Sequence, residues 1–342
     1  MNFKKKISLR PYNTFGIEAL AENFVEVSSL AQLIEIIGQQ KDVFILGGGS
    51  NILLTKNVLR PVIHLNLKGR EILKNSDPTG NKDDDSVYIK VQGGENWHEL
   101  VLWCIDHDFG GLENLSLIPG NVGTSPMQNI GAYGTEVKDV FHELEALEIA
   151  TGKIKKFDKE SCNFGYRESV FKNIEKNKYI IVTVSFKLTR KNHILNTSYG
   201  AIQEELLKNN IDKPSIRDVS DAVISIRQSK LPDPAEIGNS GSFFKNPVIL
   251  TDHFDRLKND YPKIPHYIIS DTSVKIPAGW LIEQCGYKGM RFGDAGVHHK
   301  QALVLVNYSK ATGEQIYELA QRILKSVHDR FSIDLEIEVN IV

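Results

Sequence analysis

The segment GSFFKNP, residues 241–247, places a small hydroxyl, Ser242, beside two phenylalanines, a lysine and an asparagine. A hydrolase serine nucleophile sits in a G-x-S-x-G turn, where the second glycine permits a strained backbone. The residue two positions after Ser242 is Phe244, not glycine. Ser242 is therefore predicted to be either an ordinary loop hydroxyl or a group that performs chemistry other than acyl transfer.

A first glycine loop, in FILGGGSNIL, follows a short apolar run that is typical of a strand. Three glycines in succession let backbone N–H groups approach an anion more closely than residues with a Cβ would permit. The motif is neither a Walker A loop nor G-x-G-x-x-G. By itself a triple glycine is more typical of a tight turn than of a phosphate site.

A second loop, LIPGNVGTSPMQNIGAYG, carries four glycines and two prolines among small polar side chains. Such a stretch could wrap a pyrophosphate and a planar ring through main-chain hydrogen bonds. As a lone feature it could equally be an exposed loop.

The elements around these loops are predicted from apolar periodicity. FVEVSSLAQLIEIIGQQKDVFIL indicates a strand, a helix and a strand, and the helix has apolar residues at Leu30, Leu33, Ile34 and Ile37. VYIKVQGG, LEALEIATG, KIKKFD and YIIVTVSFKLT are typical of strands, so a second sheet is predicted up to about residue 190. Residues 73–86 have no apolar period and are predicted to be a solvated loop.

Two amphipathic helices and a terminal strand are predicted in the last third. The first helix has Ser215 as N-cap, with Asp218 three residues on, and Pro232 and Pro234 end it. Its inward residues are Ile216, Val219, Val223 and Ile226, and those of the second helix, in ATGEQIYELAQRILKSVHDRF, are Ile316, Leu319, Ile323 and Val327. IDLEIEVNIV then alternates with period two: one face carries Leu335, Ile337, Val339 and Ile341, and the other Glu336, Glu338 and Asn340.

Composition excludes several classes of function. A net charge of -2 and a pI near 6.6 leave no basic excess for nucleic acid. No stretch approaches the length of a spanning helix and no apolar segment follows the basic N-terminus, so neither a membrane nor a secretory route is expected and a cytoplasmic location is predicted. The three cysteines are too dispersed for a disulfide framework or a metal knuckle, and adjacent histidines in VHHK would point to opposite faces of a strand, so no metal is expected.

Nine segments occur in an order that resembles one enzyme family nearly end to end. They are NTFGI, GGGSN, IPGNVGTSPMQNIGAYG, YRES, KLPDP, GSFFKNP, PAGWLIEQCG, GVHHKQALVLVN and LEIEV. The family is that of the UDP-N-acetylenolpyruvoylglucosamine reductases (MurB) of bacterial peptidoglycan synthesis. TSYGAIQEEL, residues 197–206, is similar to the tyrosine-bearing substrate loop of its type I subgroup.

The resemblance implies an α+β fold with a two-part FAD-binding region of the vanillyl-alcohol oxidase kind and a separate α+β substrate domain. Residues 1–70 would form the first FAD-binding subdomain, completed by a C-terminal strand at 330–342. Residues 71–200 would form the second FAD-binding subdomain, and residues 201–329 would bind the substrate.

The family reaction passes hydride from NADPH to FAD and then to C3 of an enolpyruvyl ether, giving UDP-N-acetylmuramate. By resemblance, Ser242 would donate the proton to C2, and Arg167 would bind the carboxylate and stabilise the enolate. Glu338 would point into the site and pair with the enol system or with the arginine. Many relatives carry an arginine two residues after this glutamate where this chain has Asn340, which leaves the charge partner of Glu338 open.

The remaining site residues are also implied by the resemblance. Contacts to non-covalently bound FAD would come from Gly47, Gly48, Gly49, Ser50, Asn51, Pro119, Gly120, Gly123, Thr124, Ser125, Gly131, Ala132, Tyr133 and Arg227. Contacts to the UDP-N-acetylglucosamine enolpyruvate would come from Tyr199, Lys230, Asn246 and Gln284. Phe243 and Phe244 would form a wall, and a monomer is expected. The alternatives are an alcohol-oxidising flavoenzyme of the same fold and a sugar-nucleotide binding protein without catalysis.

Overall fold

The computed structural model describes residues 3–73 and 85–342, which form two compact units. The first contains the chain up to Lys5, Glu22–Gly48 and Leu59–Ser229, and the second contains Lys6–Ala21, Gly49–Val58 and Lys230–Val342. Most of the predicted solvated loop at 73–86 lies outside the described residues. The three-part division by cofactor and substrate stays a prediction.

Most of the strands are short. In chain order they are β1 (Lys4–Ser8), β2 (Leu20–Val27), β3 (Phe44–Leu46), β4 (Ile52–Leu53), β5 (Val62–Leu65), β6 (Arg70–Leu73), β7 (Ser86–Gln92), β8 (Gly131–Ala132), β9 (Thr135–Glu136), β10 (Phe141–Glu148), β11 (Ile154–Asp158), β12 (Tyr179–Thr189), β13 (Gly238–Asn239), β14 (Val248–Leu250), β15 (Tyr267–Ser270), β16 (Ser273–Lys275), β17 (Arg291–Phe292), β18 (Ala295–Val297), β19 (Leu305–Asn307) and β20 (Asn340–Ile341).

The helices differ widely in length. They are α1 (Leu30–Gln39), α2 (Trp97–Asp106), α3 (Val137–Val140), α4 (Lys159–Cys162), α5 (Gly200–Lys208), α6 (Ile216–Lys230), α7 (Thr251–Asp260), α8 (Ala278–Gln284) and α9 (Gly313–Phe331). Within the described ranges, none of these helices is both long enough and apolar enough to span a bilayer.

The largest sheet of the first unit is antiparallel, with strand order β11-β10-β12-β7-β6. All four strands predicted for the second sheet belong to it. Val184 of β12 lies between Leu144 of β10 and Val91 of β7, and the three side chains are fully buried. The apolar face of this sheet therefore forms the main core of the first unit, together with Trp97 and Leu100 of α2.

The predicted strand-helix-strand unit is confirmed, but the buried face of its helix is different. Leu33, Ile36 and Ile37 of α1 are buried beside β2 and β5, which run parallel. Leu30 and Ile34 are 38% and 39% exposed. The apolar spacing predicts a helix but not its buried side, because apolar residues occupy more than one side of this helix. Packing against the sheet decides which side is buried.

The two amphipathic helices form as predicted. The Ser215 N–H donates to Asp218 Oδ2 at 2.7 Å and the Asp218 N–H donates to Ser215 Oγ at 3.2 Å, so the two residues cap α6 reciprocally. The four inward residues predicted for α6 are buried, and so are the four predicted for α9. α9 begins with a second capping box, formed by Thr312 and Gln315.

The second unit contains two small antiparallel sheets, β13-β19-β18-β17 and β14-β16-β15. Its C-terminal segment is predicted as one strand but pairs with two partners in turn. Ile337 forms an isolated antiparallel bridge with Phe244, and β20 then runs parallel to β4. Regular strand is therefore limited to Asn340–Ile341, and Ile341, expected on the inner face, is 39% exposed.

The described structure leaves all three cysteines as free thiols, two of them buried. Burial raises the pKa of the Cys162 thiol to about 12 and raises that of Cys104 further, so neither is a reactive thiolate at neutral pH.

Gly313 is the first residue of α9, and a Cβ built on it would lie 1.9 Å from the Leu54 carbonyl oxygen. We expect Gly313→Ala to lower the free energy of unfolding by about 1–3 kcal/mol, because the backbone must shift to admit the methyl group. Gly200→Ala is the matched control, since Gly200 begins α5 and its Cβ would meet open space. Urea unfolding of both variants measures the difference, and equal midpoints would contradict the close approach at Gly313.

Candidate active site

The first two glycines of GGGSN lie against the second glycine loop within the first unit. A Cβ on Gly48 would be 2.8 Å from Asn121 Oδ1 and 3.0 Å from the Gly120 Cα, and one on Gly47 would be 3.1 Å from Thr124 Cγ2. The loop after β3 and the loop at 120–124 therefore touch through backbone atoms, which brings together four of the predicted cofactor residues.

The third glycine has a different role, within the second unit. Gly49 has φ +60, and a Cβ there would lie 2.0 Å from the Tyr12 carbonyl oxygen. The Gly49 carbonyl accepts a hydrogen bond from the Thr14 N–H at 3.1 Å. The tight-turn interpretation thus holds at this position, because no residue with a Cβ fits.

The second glycine loop is not an exposed loop. Val122, Gly123, Ser125 and Asn129 are buried, and the Ser125 hydroxyl donates to the Val122 carbonyl at 2.8 Å. The Gly123 N–H donates to the Gly93 carbonyl at 2.9 Å, and a Cβ on Gly123 would come within 3.0 Å of Gly93. The structure accounts for Gly123 and Ser125 by packing, and their predicted FAD contacts stay predictions.

Arg167 is held against the same loop. Its Nη2 donates to the Gly131 carbonyl at 2.7 Å, and a Cβ on Gly131 would lie 3.1 Å from Nη1. Asn129 orders this part of the loop, since its side chain donates to the Gly165 carbonyl and accepts from the Lys138 N–H. Arg167 itself has φ +57, an uncommon conformation for a residue with a side chain.

Tyr133 and Arg227 form a second polar group in the first unit. The Arg227 guanidinium donates to the Tyr133 hydroxyl, yet its buried Nε has no hydrogen-bond partner among the described residues. Burial lowers the pKa of Arg227, the interaction with Tyr133 raises it, and the charge of Arg167 lowers it. The Tyr133 ring lies 5.3 Å from that of Tyr199, edge to face.

These features fit an anionic, flat ligand such as FAD. A buried guanidinium N–H without a partner is costly, and an acceptor from a ligand would satisfy it. A negatively charged ligand would offset the charge of Arg167 that lowers the pKa of Arg227. A loop lined by backbone also admits a phosphate closely. Arg227, Tyr133 and the loops at 47–48 and 120–124 are the residues that could hold such a group.

Ser242 and Glu338 lie on facing segments of the second unit. Phe244 and Ile337 form the antiparallel bridge, the Glu338 N–H donates to the Phe243 carbonyl at 2.9 Å, and the Asn51 side chain donates to the Glu338 carbonyl at 3.4 Å. Ser242 is exposed, whereas Phe243 and Phe244 are 0% and 1% exposed. The phenylalanines are wall residues, as predicted, and they fix the backbone on which Ser242 is presented.

The predicted substrate contacts occupy varied positions. Asn246 Oδ1 accepts the Ala278 N–H at 2.9 Å at the start of α8, and Gln284 is the last residue of that helix. Lys230 is the exposed last residue of α6, and Tyr199, 43% exposed, precedes α5. Of the remaining cofactor residues, Pro119 is exposed, Ser50 is half-buried, and Ala132 ends β8. Their contacts with ligands stay predictions.

The prediction that the two histidines point to opposite faces of a strand is wrong. His298 and His299 follow β18 and do not lie within it, and their rings are 4.5 Å apart. Burial lowers the pKa of His298, and the charges of His299 and Lys300 lower it further. Among the described residues no three side chains are grouped as a metal site would require.

Three polar residues near the predicted site residues were not predicted from the sequence. Asn114, 2% exposed, donates to the Tyr133 and Asn196 carbonyls, and His98 Nδ1 accepts the Leu117 N–H at 2.9 Å. Lys245 pairs with Glu336. Lys245 stands inside GSFFKNP and could have been suspected, whereas nothing in the sequence around Asn114 or His98 distinguishes them from surface residues.

Comparison with known proteins gives the family. Residues 21–158 match the FAD binding domain model, and residues 233–342 match the model of the UDP-N-acetylenolpyruvoylglucosamine reductase C-terminal domain. The chain is 56% identical to the UDP-N-acetylenolpyruvoylglucosamine reductase of Flavobacterium johnsoniae, with 100% of both chains covered. The chain belongs to the UDP-N-acetylenolpyruvoylglucosamine reductase family.

Other members of this reductase family match over the same length. The reductase of Amoebophilus asiaticus is 49% identical, with 100% of each chain covered. The crystal structure of the Thermus caldophilus reductase covers 100% of this chain and 99% of its own with a TM-score of 0.67 and 23% identity, which shows the shared fold. The predicted family and α+β fold class, with an FAD-binding domain ahead of the C-terminal reductase domain, are confirmed.

Gly48→Ala tests the contact between the two loops. We expect it to reduce both the thermal midpoint and the FAD retained on purification, since the new Cβ would meet the Gly120 backbone. Gly47→Ala is the control: its Cβ would meet side-chain atoms only, Thr124 Cγ2 at 3.1 Å and Asn121 atoms at 4.0 Å, and not the backbone of the second loop. Melting curves and the flavin-to-protein absorbance ratio compare the two, and equal losses would show that backbone approach at Gly48 is not the constraint.

Proposed function

We propose that the chain reduces UDP-N-acetylglucosamine enolpyruvate to UDP-N-acetylmuramate, with NADPH as the electron donor. This step would serve cytoplasmic synthesis of peptidoglycan precursors, on which cell-wall formation, cell shape and cell division depend. The observation that carries the proposal is the pairing of GSFFKNP with LEIEV, which sets Ser242 and Glu338 on adjoining segments. It occurs in a chain that is 56% identical to a reductase of this name over its whole length.

When bound, FAD supplies two-electron carriage between NADPH and the substrate. The glycine loops and Arg227 would hold it without a covalent bond. The buried, unpartnered Nε of Arg227 supports this role, because a bound anion or carbonyl would satisfy it. Tyr133 would assist by fixing the guanidinium through its hydroxyl.

Arg167 would bind the carboxylate of the enolpyruvyl group. Hydride delivered to C3 leaves negative charge at C2 that spreads into this carboxylate as an enolate. A guanidinium is permanently charged and presents two parallel N–H donors, so it stabilises that charge as it forms. The hydrogen bond from Arg167 to the Gly131 carbonyl supports this role, since it orients the group in advance.

Ser242 would donate a proton to C2. A hydroxyl is a weak acid, but a carbanion-like carbon is basic enough to take its proton when the two are held in line. The position of Ser242 supports the role, because an exposed hydroxyl stands directly before two buried aromatic rings that immobilise its backbone. Glu338 would complete the site by interacting with the enol system or with Arg167.

The substrate's nucleotide would be bound by Lys230, Tyr199, Asn246 and Gln284, with Lys230 at the diphosphate. The protein would act as a monomer on small molecules, without nucleic acid or membrane. An alcohol oxidase of this fold would be reoxidised by oxygen with an alcohol as donor, and a binding protein would not turn over. Turnover of NADPH with the enolpyruvyl substrate, without oxidase activity, separates the three functions.

We expect FAD to be released when the protein is denatured, because the loops offer backbone hydrogen-bond donors that would hold it without a covalent bond. Acid or heat precipitation followed by absorbance of the supernatant measures this. Yellow colour that stays with the precipitated chain would contradict a non-covalent site.

Ser242→Ala should separate the two half-reactions. FAD reduction by NADPH should proceed at a near-normal rate, while reoxidation by substrate should slow by about 10²–10⁴-fold, since general acid catalysis is lost. Ser242→Cys should recover part of the rate. Stopped-flow flavin absorbance follows both steps.

Ser240→Ala is the control for that variant. Ser240 is a buried neighbouring serine whose Oγ has no hydrogen-bond partner among the described residues, so its removal should leave reoxidation nearly unchanged. Normal reoxidation in Ser242→Ala would make Ser242 a loop hydroxyl, and slow reduction would assign it to the NADPH step.

A further inference from the structure

We infer that Lys245 is a positioning residue for Glu338: its buried ammonium reaches across from the facing segment and holds the Glu338 carboxylate as an oriented anion. The contact stands on the geometry of the second unit alone. Its consequence for reaction rate rests on the proposed function.

Backbone pairing puts the two side chains on the same face. The Lys245 N–H donates to the Glu336 carbonyl and the Glu338 N–H donates to the Phe243 carbonyl, both at 2.9 Å, on either side of the Phe244–Ile337 bridge. In an antiparallel pair with this register, Lys245 stands opposite Glu336 and diagonal to Glu338. Diagonal neighbours are about 7–8 Å apart, which a long side chain spans.

The burial of Lys245 requires strong compensation. Its side chain is 10% exposed, and Nζ lies 2.5 Å from Glu336 Oε1, but the Glu336 side chain is 68% exposed. An ammonium taken out of water loses much of its hydration, and a carboxylate that is itself mostly solvated compensates for little of that loss. The half-buried carboxylate on the same face, Glu338, would add to the compensation.

Lys245 also supplies a positive charge that is absent from position 340, two residues after Glu338. Asn340 stands there, and its side-chain amide donates to the Asn51 carbonyl at 2.9 Å, so it is committed to the contact between β20 and the chain before β4. A neutral amide in that position offers no charge to Glu338. In the proposed arrangement the cation comes from the facing segment and not from the glutamate's own strand.

A purely structural role is the competing explanation, in which Lys245 serves only its ion pair with Glu336. The two explanations differ in which carboxylate is coupled to the lysine. They also differ in the step affected, because loss of a surface ion pair is not expected to slow reoxidation by substrate while leaving reduction by NADPH unchanged.

The test compares Lys245→Met, which keeps the length and removes the charge, with Lys245→Arg, which keeps the charge. In the FAD-loaded protein, Lys245→Met should be reduced by NADPH normally but reoxidised by substrate ~10- to 100-fold more slowly, through kcat more than KM. Lys245→Arg should recover most of the rate. Glu336→Gln, the matched control, should stay within about twofold of wild type.

A double-mutant cycle then identifies the partner. Lys245→Met combined with Glu338→Gln should be reoxidised no more slowly than Glu338→Gln alone. Their losses in urea-unfolding midpoint, measured without substrate, should also be less than additive. Additive losses at both levels, or normal reoxidation in Lys245→Met, would overturn the inference.

Failure of the proposed function gives a different result. Wild-type protein that is reduced by NADPH but not reoxidised by the enolpyruvyl substrate would reject the proposed reaction. The unfolding cycle between Lys245 and Glu338 would still decide the contact, since it needs no substrate. If Lys245→Met does not fold, the same cycle with Lys245→Gln, which also removes the charge, and Glu338→Gln decides it, and additive losses there reject the contact.

Discussion

The pairing of residues 243–245 with residues 336–338 is the constraint on which the candidate site of the second unit depends. It consists of two backbone hydrogen bonds around one bridge, so it does not depend on the identity of most side chains. It joins segments that are about ninety residues apart in the sequence. It also fixes the relative positions of the backbone at Ser242, Lys245 and Glu338. The buried rings of Phe243 and Phe244 anchor it, because moving either segment would expose them to water.

In the first unit the corresponding constraint is electrostatic. The charge of Arg167 lowers the pKa of Arg227, and the buried Nε of Arg227 has no hydrogen-bond partner in the part of the chain that the structure describes. The backbone around them is also held in uncommon conformations, with φ +57 at Arg167 and +49 at Tyr133. Such residues cost roughly 1–3 kcal/mol each and persist where the surrounding structure fixes them. A strained backbone beside a buried guanidinium donor that no described residue satisfies is what a site arranged to receive an anion would show.

Glycines serve two separate physical purposes in these loops. Gly48 and Gly123 allow one backbone to approach another, whereas Gly49 adopts a positive φ against the Tyr12 carbonyl. The motif GGGSN therefore contains both a tight turn, at Gly49, and a contact with another loop, at Gly48. Composition alone could not separate these roles, because each depends on a partner distant in the sequence.

The sequence by itself determined the family, the α+β class, the long sheet strands of the first unit, the helices α6 and α9 with their buried faces, and the N-cap of α6. These features are set by local periodicity, by the capping residue Ser215, and by motifs whose residues are contiguous. Tertiary structure alone decided which side of α1 is buried, that the C-terminal segment pairs first with residues 243–245 and then with β4, and that Lys245 lies opposite Glu336. Each of these depends on a partner supplied by a remote segment, and a side chain's burial and charge environment belong to the pair and not to either residue in isolation.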